Sequence, residues 1–226
     1  MTDLIRVLLV DDQELIRLGF RMVLDEEPDI VVVGEAVDGL DAVRETARLH
    51  PNVVLMDVRM PNLDGIGATE RIVAARPDAR ILILTTFDLD EYAFAALQAG
   101  ASGFLLKDAQ RAELVGAVRA VHRGDAALAP RVTRRMIELL AEIPAKPDPA
   151  GLSELTERER EVFVAMGAGR TNAEVARALH VSESTVKTHV GRVLSKLGAR
   201  DRVHAVILAH RHGLVPAETA LPYDGD

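Results

Sequence analysis

The chain has 226 residues, of which 48% are hydrophobic, and this is enough for one large domain or two modest ones with buried cores. It contains no cysteine, which excludes disulfides, thiolate zinc sites and cysteine nucleophiles. No run approaches the roughly 18 apolar residues of a membrane span, and the acidic start does not read as a secretory signal, so we expect a cytoplasmic protein without a membrane segment.

The net charge of −8 is distributed unevenly along the chain. Residues 1–125 carry 13 Lys and Arg against 22 Asp and Glu, a net charge of −9. Residues 151–213 carry 10 against 7, a net charge of +3. An acidic first part joined to a mildly basic second part indicates two domains with different partners.

The acidic part alternates short apolar runs with longer amphipathic stretches. The runs are leucine-rich or β-branched, as is typical of parallel strands covered on both faces. The five predicted strands are 4–10, 30–35, 52–56, 80–85 and 102–106. Between them, apolar residues recur at helical spacing, such as Leu15, Leu18 and Met22 in the first stretch. The pattern predicts an α/β fold with a five-stranded, doubly wound parallel sheet, whose functional crevice lies at the carboxyl ends of the strands.

Carboxylates follow two of the predicted strands. Asp11 and Asp12 follow the first strand, and Asp57 follows the third. These strands are neighbours in a doubly wound sheet, so the three carboxylates converge and repel one another unless a cation or a proton offsets them. Each aspartate alone reads as a turn or cap residue. Together they predict a Mg²⁺ site, because Mg²⁺ prefers oxygen ligands and keeps waters that phosphate oxygens can replace.

Two further polar residues are predicted at the same edge of the sheet. Thr85 ends the fourth strand and Lys107 follows the fifth. A hydroxyl, an ammonium and a divalent cation around one carboxylate match the needs of a phosphoryl group on that carboxylate. We therefore predict that Asp57 is the nucleophile of a phosphoryl transfer and forms an aspartyl phosphate. Asp38 and Asp64, which precede helical stretches, are predicted helix N-caps.

The motifs that carry these residues are "VLLVDDQ", "VVLMDVRMPNLDG", "LTTF" and "GASGFLLKD". They resemble the receiver domain of two-component response regulators, which has a flavodoxin-like fold. The resemblance implies phosphorylation at Asp57, a metal held by Asp11, Asp12, Asp57 and the backbone carbonyl of Arg59, and phosphoryl contacts by Thr85 and Lys107. It also implies a switch in which Thr85 moves toward the phosphoryl group and an aromatic residue, here Phe104, follows it inward.

Two other classes of protein are alternatives to this interpretation. A phosphohydrolase with an aspartyl-phosphate intermediate usually carries an acid two residues after the nucleophile, and Arg59 occupies that position here. A DNA-binding or scaffold protein that is never phosphorylated needs neither the acidic pair nor Lys107. We therefore expect a phosphoacceptor that turns over no external substrate, and not an enzyme.

A proline-rich segment separates the two parts of the chain. Residues 144–151 contain three prolines within six residues, which excludes a helix or a central strand. We predict a linker over 126–151 with one helix at 130–143, followed by a small all-α domain over 152–213 and a tail over 214–226. Thr156 with Glu159, and Thr171 with Glu174, match the capping box of a helix N-terminus.

The sequence of the all-α part predicts a helix-turn-helix, with helices at about 172–179 and 183–197, and a last helix at about 200–211. In the second of these, Val186, Val190, Val193 and Leu197 form a stripe for burial. The other side is polar and basic and could reach base edges and phosphates, although such a face alone is more often only solvated. The predicted DNA-contacting residues are Thr171, Asn172, Ser184, Lys187, Thr188, Arg192 and Lys196.

Residues 152–212 resemble the LuxR-type DNA-binding domain, and with the first part they give the pattern of the NarL/FixJ type of response regulator. The resemblance implies a transcription regulator for double-stranded DNA, phosphorylated by a sensor histidine kinase and homodimeric when phosphorylated. It implies dimerisation through the last helix, here Val203, Val206 and Ile207, with packing inside the domain as the alternative for that face. At Gly191 members of this family often carry a longer polar or basic residue, so the target sequence stays open.

Overall fold

The computed structural model describes residues 4–85, 89–125 and 152–215. The chain divides into two compact units, an N-terminal α/β unit and a C-terminal helical unit. The predicted linker over 126–151 and the predicted tail beyond residue 215 lie outside the described residues. Among the helices that are described, none is both long enough and apolar enough to cross a membrane.

The N-terminal unit is a parallel five-stranded sheet with the order β2-β1-β3-β4-β5, which confirms the predicted fold class. The strands are β1 (Ile5–Val10), β2 (Ile30–Ala36), β3 (Val53–Asp57), β4 (Arg80–Thr85) and β5 (Gly103–Leu106). The helices are α1 (Glu14–Asp25), α2 (Gly39–Leu49), α3 (Gly65–Ala75), α4 (Leu89–Gln98) and α5 (Arg111–His122). Every residue of β3 is buried, which explains its uninterrupted apolar sequence before Asp57.

The register of the sheet brings the carboxyl ends of neighbouring strands level. Asp57 pairs with Leu84, and Thr85 pairs with Leu106. The backbone N–H of Lys107 donates to the carbonyl of Thr85 at 2.8 Å, so Lys107 continues from the end of β5. Because all strands run in the same direction, the polar residues that follow them meet at one edge.

In helix α1, the apolar residues that showed helical spacing in the sequence are not the ones that the fold buries. The exposed apolar residues are Leu15, Leu18 and Met22, with exposed fractions of 81%, 51% and 64%. Instead, Leu24 is fully buried, and Phe20 and Val23 pack against the core of the sheet. Both sets have helical spacing, so the periodicity alone does not determine which set faces the sheet.

The C-terminal unit is helical. After a short 3₁₀ turn at Leu152–Glu154, its helices are α6 (Glu157–Gly167), α7 (Asn172–Leu179), α8 (Glu183–Leu197) and α9 (Arg202–Arg211). Helices α7 and α8 have the predicted bounds, and α9 begins two residues later than predicted. Of the predicted stripe, Val186, Val190 and Val193 are buried in the core, and Leu197 is partly buried against it. The same core extends to Val215.

The predicted N-caps are confirmed. The side chain of Asp38 accepts a hydrogen bond from the N–H of Asp41, and that of Asp64 accepts one from the N–H of Gly67. Both predicted capping boxes, at the starts of α6 and α7, are formed. Helix α8 ends at Gly198, whose φ of 62° is the left-handed conformation that glycine adopts without strain.

Candidate functional site

Three aspartates meet at the carboxyl edge of the sheet. Asp11 follows β1, Asp12 is the next residue, and Asp57 ends β3. One carboxylate oxygen from each lies within 4.8 Å of the others. Asp11 and Asp57 are buried, with exposed fractions of 2% and 5%, whereas Asp12 is exposed. The cluster therefore has two carboxylates inside the protein and one on the solvent side.

Lys107 lies between the two buried aspartates. Its Nζ is 2.6 Å from Asp11 Oδ2 and 3.0 Å from Asp57 Oδ2, and its side chain is 5% exposed. One ammonium against two carboxylates leaves net negative charge in a place with little water, and the neighbouring Asp12 carboxylate adds to it. A divalent cation would offset this charge, and three carboxylates are suitable ligands for Mg²⁺.

Asp57 is fixed by its neighbours but poorly solvated. Its Oδ1 accepts a hydrogen bond from the N–H of Val58 at 2.8 Å. Burial raises the pKa of Asp57 above the usual value, and the opposing effects of Lys107 and of the Val58 N–H do not outweigh it. For Lys107, burial acts to lower the pKa, but the hydrogen bonds to Asp11 and Asp57 together raise it above its usual value. The site thus holds a charged ammonium beside a carboxylate that gains from any further cation.

The other residues predicted for this site lie on β4, on β5 and just after β3. Thr85 is buried at the end of β4, and Phe104 is 2% exposed on β5. The guanidinium carbon of Arg59 lies 5.0 Å from the centroid of the Tyr92 ring, and Nη2 donates to the Tyr92 hydroxyl at 3.4 Å. The side chain of Arg59 therefore contacts α4, and as a cation it offers no ligand to a metal, whereas its backbone carbonyl does.

Gly65 is a residue of this site that the sequence analysis missed. Its N–H donates to the carbonyl of Val58 at 2.9 Å. A Cβ at position 65 would come within 1.9 Å of the carbonyl oxygen of Asp57, so only glycine lets the start of α3 approach the end of β3 so closely. The glycine after the Asp64 cap was the only sequence signal for this contact.

Helix α8 of the C-terminal unit presents a polar face to solvent. Ser184, Lys187, Thr188, Gly191 and Arg192 are all exposed. The hydroxyl of Thr188 donates to the carbonyl of Ser184 at 3.0 Å within the helix. The long side chains of Lys187 and Arg192 therefore dominate the charge of this face.

Three other residues predicted to contact DNA make contacts inside the C-terminal unit. Lys196 Nζ donates to Glu159 Oε2 at 2.7 Å and to the carbonyl of Glu154 at 2.9 Å. The Oδ1 of Asn172 accepts from Arg202 at 2.9 Å, and Thr171 forms the cap of α7. The hydrogen bond from Lys196, followed by that from the Thr156 backbone, lowers the pKa of Glu159 to about 2. Lys196 therefore stabilises the fold of the unit.

The face of α9 that was predicted for dimerisation is buried. Val203 is 1% exposed, and Val206 and Ile207 are each 5% exposed. A dimer that uses these side chains would first have to expose them. The sequence pattern could not distinguish the two cases, because a buried face and a dimer face have the same apolar spacing.

Comparison with known families gives two matches that follow one another along the chain. Residues 7–119 match the response regulator receiver domain, and residues 153–209 match the luxR family of bacterial regulatory proteins. The first match contains the three clustered aspartates and Lys107, and the second contains the polar face of α8. Both resemblances found in the sequence are confirmed.

Known proteins are similar over nearly the whole chain. The uncharacterized transcriptional regulatory protein YxjL of Bacillus subtilis (strain 168) is 45% identical over 214 residues, which are 94% of this chain and 98% of YxjL. LiaR of the same strain is 40% identical over 212 residues, 94% of this chain and 100% of LiaR. The crystal structure of the response regulator ChrA of a heme-sensing two-component system covers 95% of this chain and 100% of its own, at 38% identity and a TM-score of 0.52. The chain therefore belongs to the LuxR family of DNA-binding two-component response regulators.

Proposed function

We propose that this protein regulates transcription and that phosphorylation of Asp57 controls its binding to DNA. The observation that carries the proposal is the position of Lys107, which lies between buried Asp11 and Asp57 and beside the exposed Asp12. A sensor histidine kinase is the proposed donor, in line with the two-component system to which the similar ChrA belongs. The chain would accept one phosphoryl group and turn over no external substrate.

The proposed step is a phosphoryl transfer from a histidine of the kinase to Asp57. A carboxylate oxygen of Asp57 attacks phosphorus, an O–P bond forms as the N–P bond breaks, and the released imidazole takes up a proton. The N–H of Val58 holds Oδ1 at 2.8 Å and orients the carboxylate. Lys107, 3.0 Å from Oδ2, offsets charge on the transferred group, and the hydroxyl of Thr85 is the proposed donor to a phosphoryl oxygen.

Mg²⁺ is the proposed cofactor of this step. Asp11, Asp12, Asp57 and the backbone carbonyl of Arg59 would hold it, and the three carboxylates present oxygen atoms within 4.8 Å of one another. The donor set fits a hard divalent cation, because every ligand is an oxygen and Lys107 alone offsets only part of the negative charge. When bound, Mg²⁺ supplies positive charge to the phosphoryl oxygens and orients them.

The proposed response to phosphorylation runs from Thr85 to Phe104 and then to dimerisation on DNA. Phe104 is already buried, so the switch would change what it packs against and not how exposed it is. The homodimer would place two C-terminal units on a repeated or palindromic site. Val203, Val206 and Ile207 of α9 are the proposed dimer contacts once they are exposed.

The exposed face of α8 is the proposed DNA-reading surface. Lys187 and Arg192 can reach phosphates or guanine edges, and Thr188 can contact a thymine methyl group. Ser184 lies one turn before Thr188 on the same side, and Thr171 at the N-terminus of α7 suits a phosphate contact. Because the polar groups of Lys196 and Asn172 have partners inside the unit, we propose supporting roles for these two residues.

The phosphorylation site is tested by incubating the full-length protein with Mg²⁺ and acetyl phosphate and measuring the phosphorylated fraction on a phosphate-affinity gel. We expect uptake by the wild type and none by Asp57→Asn. Asp64→Asn is the matched control, because asparagine caps a helix about as well as aspartate and Asp64 lies outside the acidic cluster. Equal uptake by wild type and Asp57→Asn would show that Asp57 is not the acceptor.

The regulatory consequence is tested by selecting bound double-stranded DNA from a random pool with and without the phosphodonor. We expect enrichment of a two-part sequence that depends on the donor and is lost in Asp57→Asn.

A steady-state assay for released phosphate separates a phosphohydrolase from this proposal. An enzyme would consume many equivalents of acetyl phosphate at an enzymatic rate, whereas a phosphoacceptor takes up a single equivalent and loses it slowly.

A further inference from the structure

Arg17 contacts the peptide group that joins two of the clustered aspartates. Its Nη1 donates to the backbone carbonyl of Asp11 at 2.8 Å, and its side chain is only 11% exposed. That carbonyl belongs to the planar peptide unit between Asp11 and Asp12. The direction of the carbonyl therefore sets the direction in which the chain continues to Asp12, whose side chain completes the cluster.

Glu35 of β2 holds Arg17 in this orientation. Arg17 Nε donates to Glu35 Oε2 at 2.9 Å, and Arg21 Nε donates to the other oxygen, Oε1, at 2.8 Å. Burial acts to raise the pKa of Glu35, but the hydrogen bonds from Arg17 and Arg21 outweigh it and the pKa lies below its usual value. Glu35 also pairs with Leu9 in the sheet, so its contact with Arg17 anchors that side chain to strand β2.

The remaining polar groups of Asp11 are held by other partners. Its N–H donates to the carbonyl of Ala36 at 3.2 Å, its Oδ1 accepts from the N–H of Gln13 at 3.0 Å, and its Oδ2 is paired with Lys107. Strand pairing between β1 and β3 ends at Val10, so the carbonyl of Asp11 lies just past the sheet. Arg17 supplies the contact to this carbonyl.

We propose that Arg17, oriented by Glu35, is a positioning residue for Asp11 and Asp12 and thereby sets how tightly the cluster binds Mg²⁺. The proposal rests on the metal binding described under the proposed function. The guanidinium acts through a peptide group and makes no contact with the cation. Its planar fork holds the Asp11 carbonyl and the Glu35 carboxylate at the same time, which the single ammonium of a lysine does less well.

The test is the dissociation constant of Mg²⁺, measured by isothermal titration calorimetry on the unphosphorylated full-length protein. Removing a group that orients a metal ligand costs about 10- to 100-fold in affinity, so we expect the Kd of Arg17→Gln to rise roughly tenfold. Arg21→Gln is the matched control, since Arg21 pairs with the same glutamate from the same helix but does not hold Asp11; its Kd should stay unchanged. Arg17→Lys keeps the charge without the fork, and a raised Kd there identifies geometry as the cause.

An unchanged or tighter Kd in Arg17→Gln would overturn the proposal, as would an equal weakening in Arg21→Gln. Failure of the wild type to bind Mg²⁺ would instead overturn the metal assignment on which the proposal depends. If circular dichroism shows that Arg17→Gln does not fold, Glu35→Gln takes its place, because it keeps the shape of the side chain and removes the charge that orients Arg17. Weaker Mg²⁺ binding by Glu35→Gln supports the proposal, and unchanged binding contradicts it.

Discussion

The two candidate sites of this protein use charge in opposite ways. In the N-terminal unit, Asp11, Asp57 and Lys107 are nearly excluded from water, and the Lys107 ammonium lies 2.6 Å from Asp11 and 3.0 Å from Asp57. In the C-terminal unit, Lys187 and Arg192 stand in solvent on α8. Electrostatic interactions are strong and interdependent where water is excluded, and weak and nearly independent where it is present. Substitutions should therefore have large, coupled effects in the first site and modest, additive effects in the second.

The strongest test of this contrast removes the buried ammonium. Lys107→Met leaves Asp11 and Asp57 side by side without their cation, and breaking a buried ion pair in this way costs about 3–5 kcal/mol. We expect a large drop in the Tm of the N-terminal unit in Mg²⁺-free buffer. Added Mg²⁺ should restore more stability to Lys107→Met than it adds to the wild type, because the ion takes over part of the lost positive charge.

Thermal melts followed by circular dichroism, with and without Mg²⁺, provide this measurement. Lys187→Met is the control, since it makes the same substitution on the exposed face of α8 and should leave Tm unchanged. If Lys107→Met and Lys187→Met had the same small effect, the contrast between a coupled and an uncoupled site would be lost.

Substitution of the proposed nucleophile should stabilise the fold. Because burial raises the pKa of Asp57, the folded state holds its proton more tightly than the unfolded state does. The wild type therefore loses stability as pH rises from the usual aspartate pKa of 3.8 through the higher pKa in the fold, and this loss persists at neutral pH. Asp57→Asn has no carboxylate to ionise and avoids the loss.

We expect Asp57→Asn to melt above the wild type at neutral pH without Mg²⁺, because only the wild type ionises a buried carboxyl there. The difference should disappear at a pH below 3.8, where the wild-type carboxyl is protonated in both states. A Tm difference that did not change between these two conditions would rule out ionisation of Asp57 as its source.

On the exposed face, single substitutions should weaken DNA binding moderately. Lys187→Ala is expected to cost about 1 kcal/mol of binding free energy, which is roughly fivefold in Kd. The slope of log Kd against log salt concentration should fall by about one, because one fewer phosphate is neutralised. Fluorescence anisotropy with the selected DNA at several salt concentrations measures both quantities. The melting temperature should not change, because the Lys187 side chain is exposed.

Lys196→Ala should have the reverse effect, although Lys196 lies on the same helix. Its ammonium holds Glu159, so we expect a lower Tm and little change in DNA affinity beyond that caused by unfolding. With the pKa of Glu159 at about 2, the wild type keeps this stabilisation above the usual value of 4.5 and loses it as pH falls from there toward 2. The same acid titration of Lys196→Ala should show a smaller loss over this range. Similar DNA-binding defects in Lys187→Ala and Lys196→Ala would contradict the distinction.

The strands and the acidic cluster could be predicted because sequence and geometry are directly related in a parallel sheet. A strand buried on both faces is an uninterrupted apolar run, and the polar residue that ends it must lie at the carboxyl edge. Asp57 and Lys107 were found in this way. The helix caps were also predictable, since Thr156 and Glu159 satisfy backbone groups within the same four residues.

The partners of individual side chains could not be predicted, because they depend on residues far apart in the chain. Lys196 lies nine residues after Lys187, about half a turn around α8, but its partner is fixed only when folding brings Glu159 within 2.7 Å of it. In the same way, the contact of Arg17 with Glu35 joins helix α1 to strand β2. The choice of buried face in α1 follows from packing against the sheet, and the helical spacing of Leu15, Leu18 and Met22 does not determine it.

The smallest expected effect compares one glycine from each unit. Gly116 in α5 and Gly191 in α8 are exposed, and a Cβ added at either position would meet nothing within 4 Å. Glycine inside a helix costs up to about 1 kcal/mol relative to alanine, so Gly116→Ala and Gly191→Ala should each raise the stability of their own unit by a similar amount. Thermal melts of the two variants measure this gain.

Only Gly191 shares its face with Lys187 and Arg192, so only Gly191→Ala should change DNA binding. The added methyl group lies where the helix would approach the bases, and we expect a few-fold weaker affinity for the selected DNA despite the higher Tm. Gly116→Ala should bind DNA as the wild type does. An unchanged affinity in Gly191→Ala would show that this position does not contact DNA and that the longer side chains, such as Lys187 and Arg192, make the contacts. A weakened affinity would show that DNA binding requires the close approach that the missing side chain of Gly191 allows.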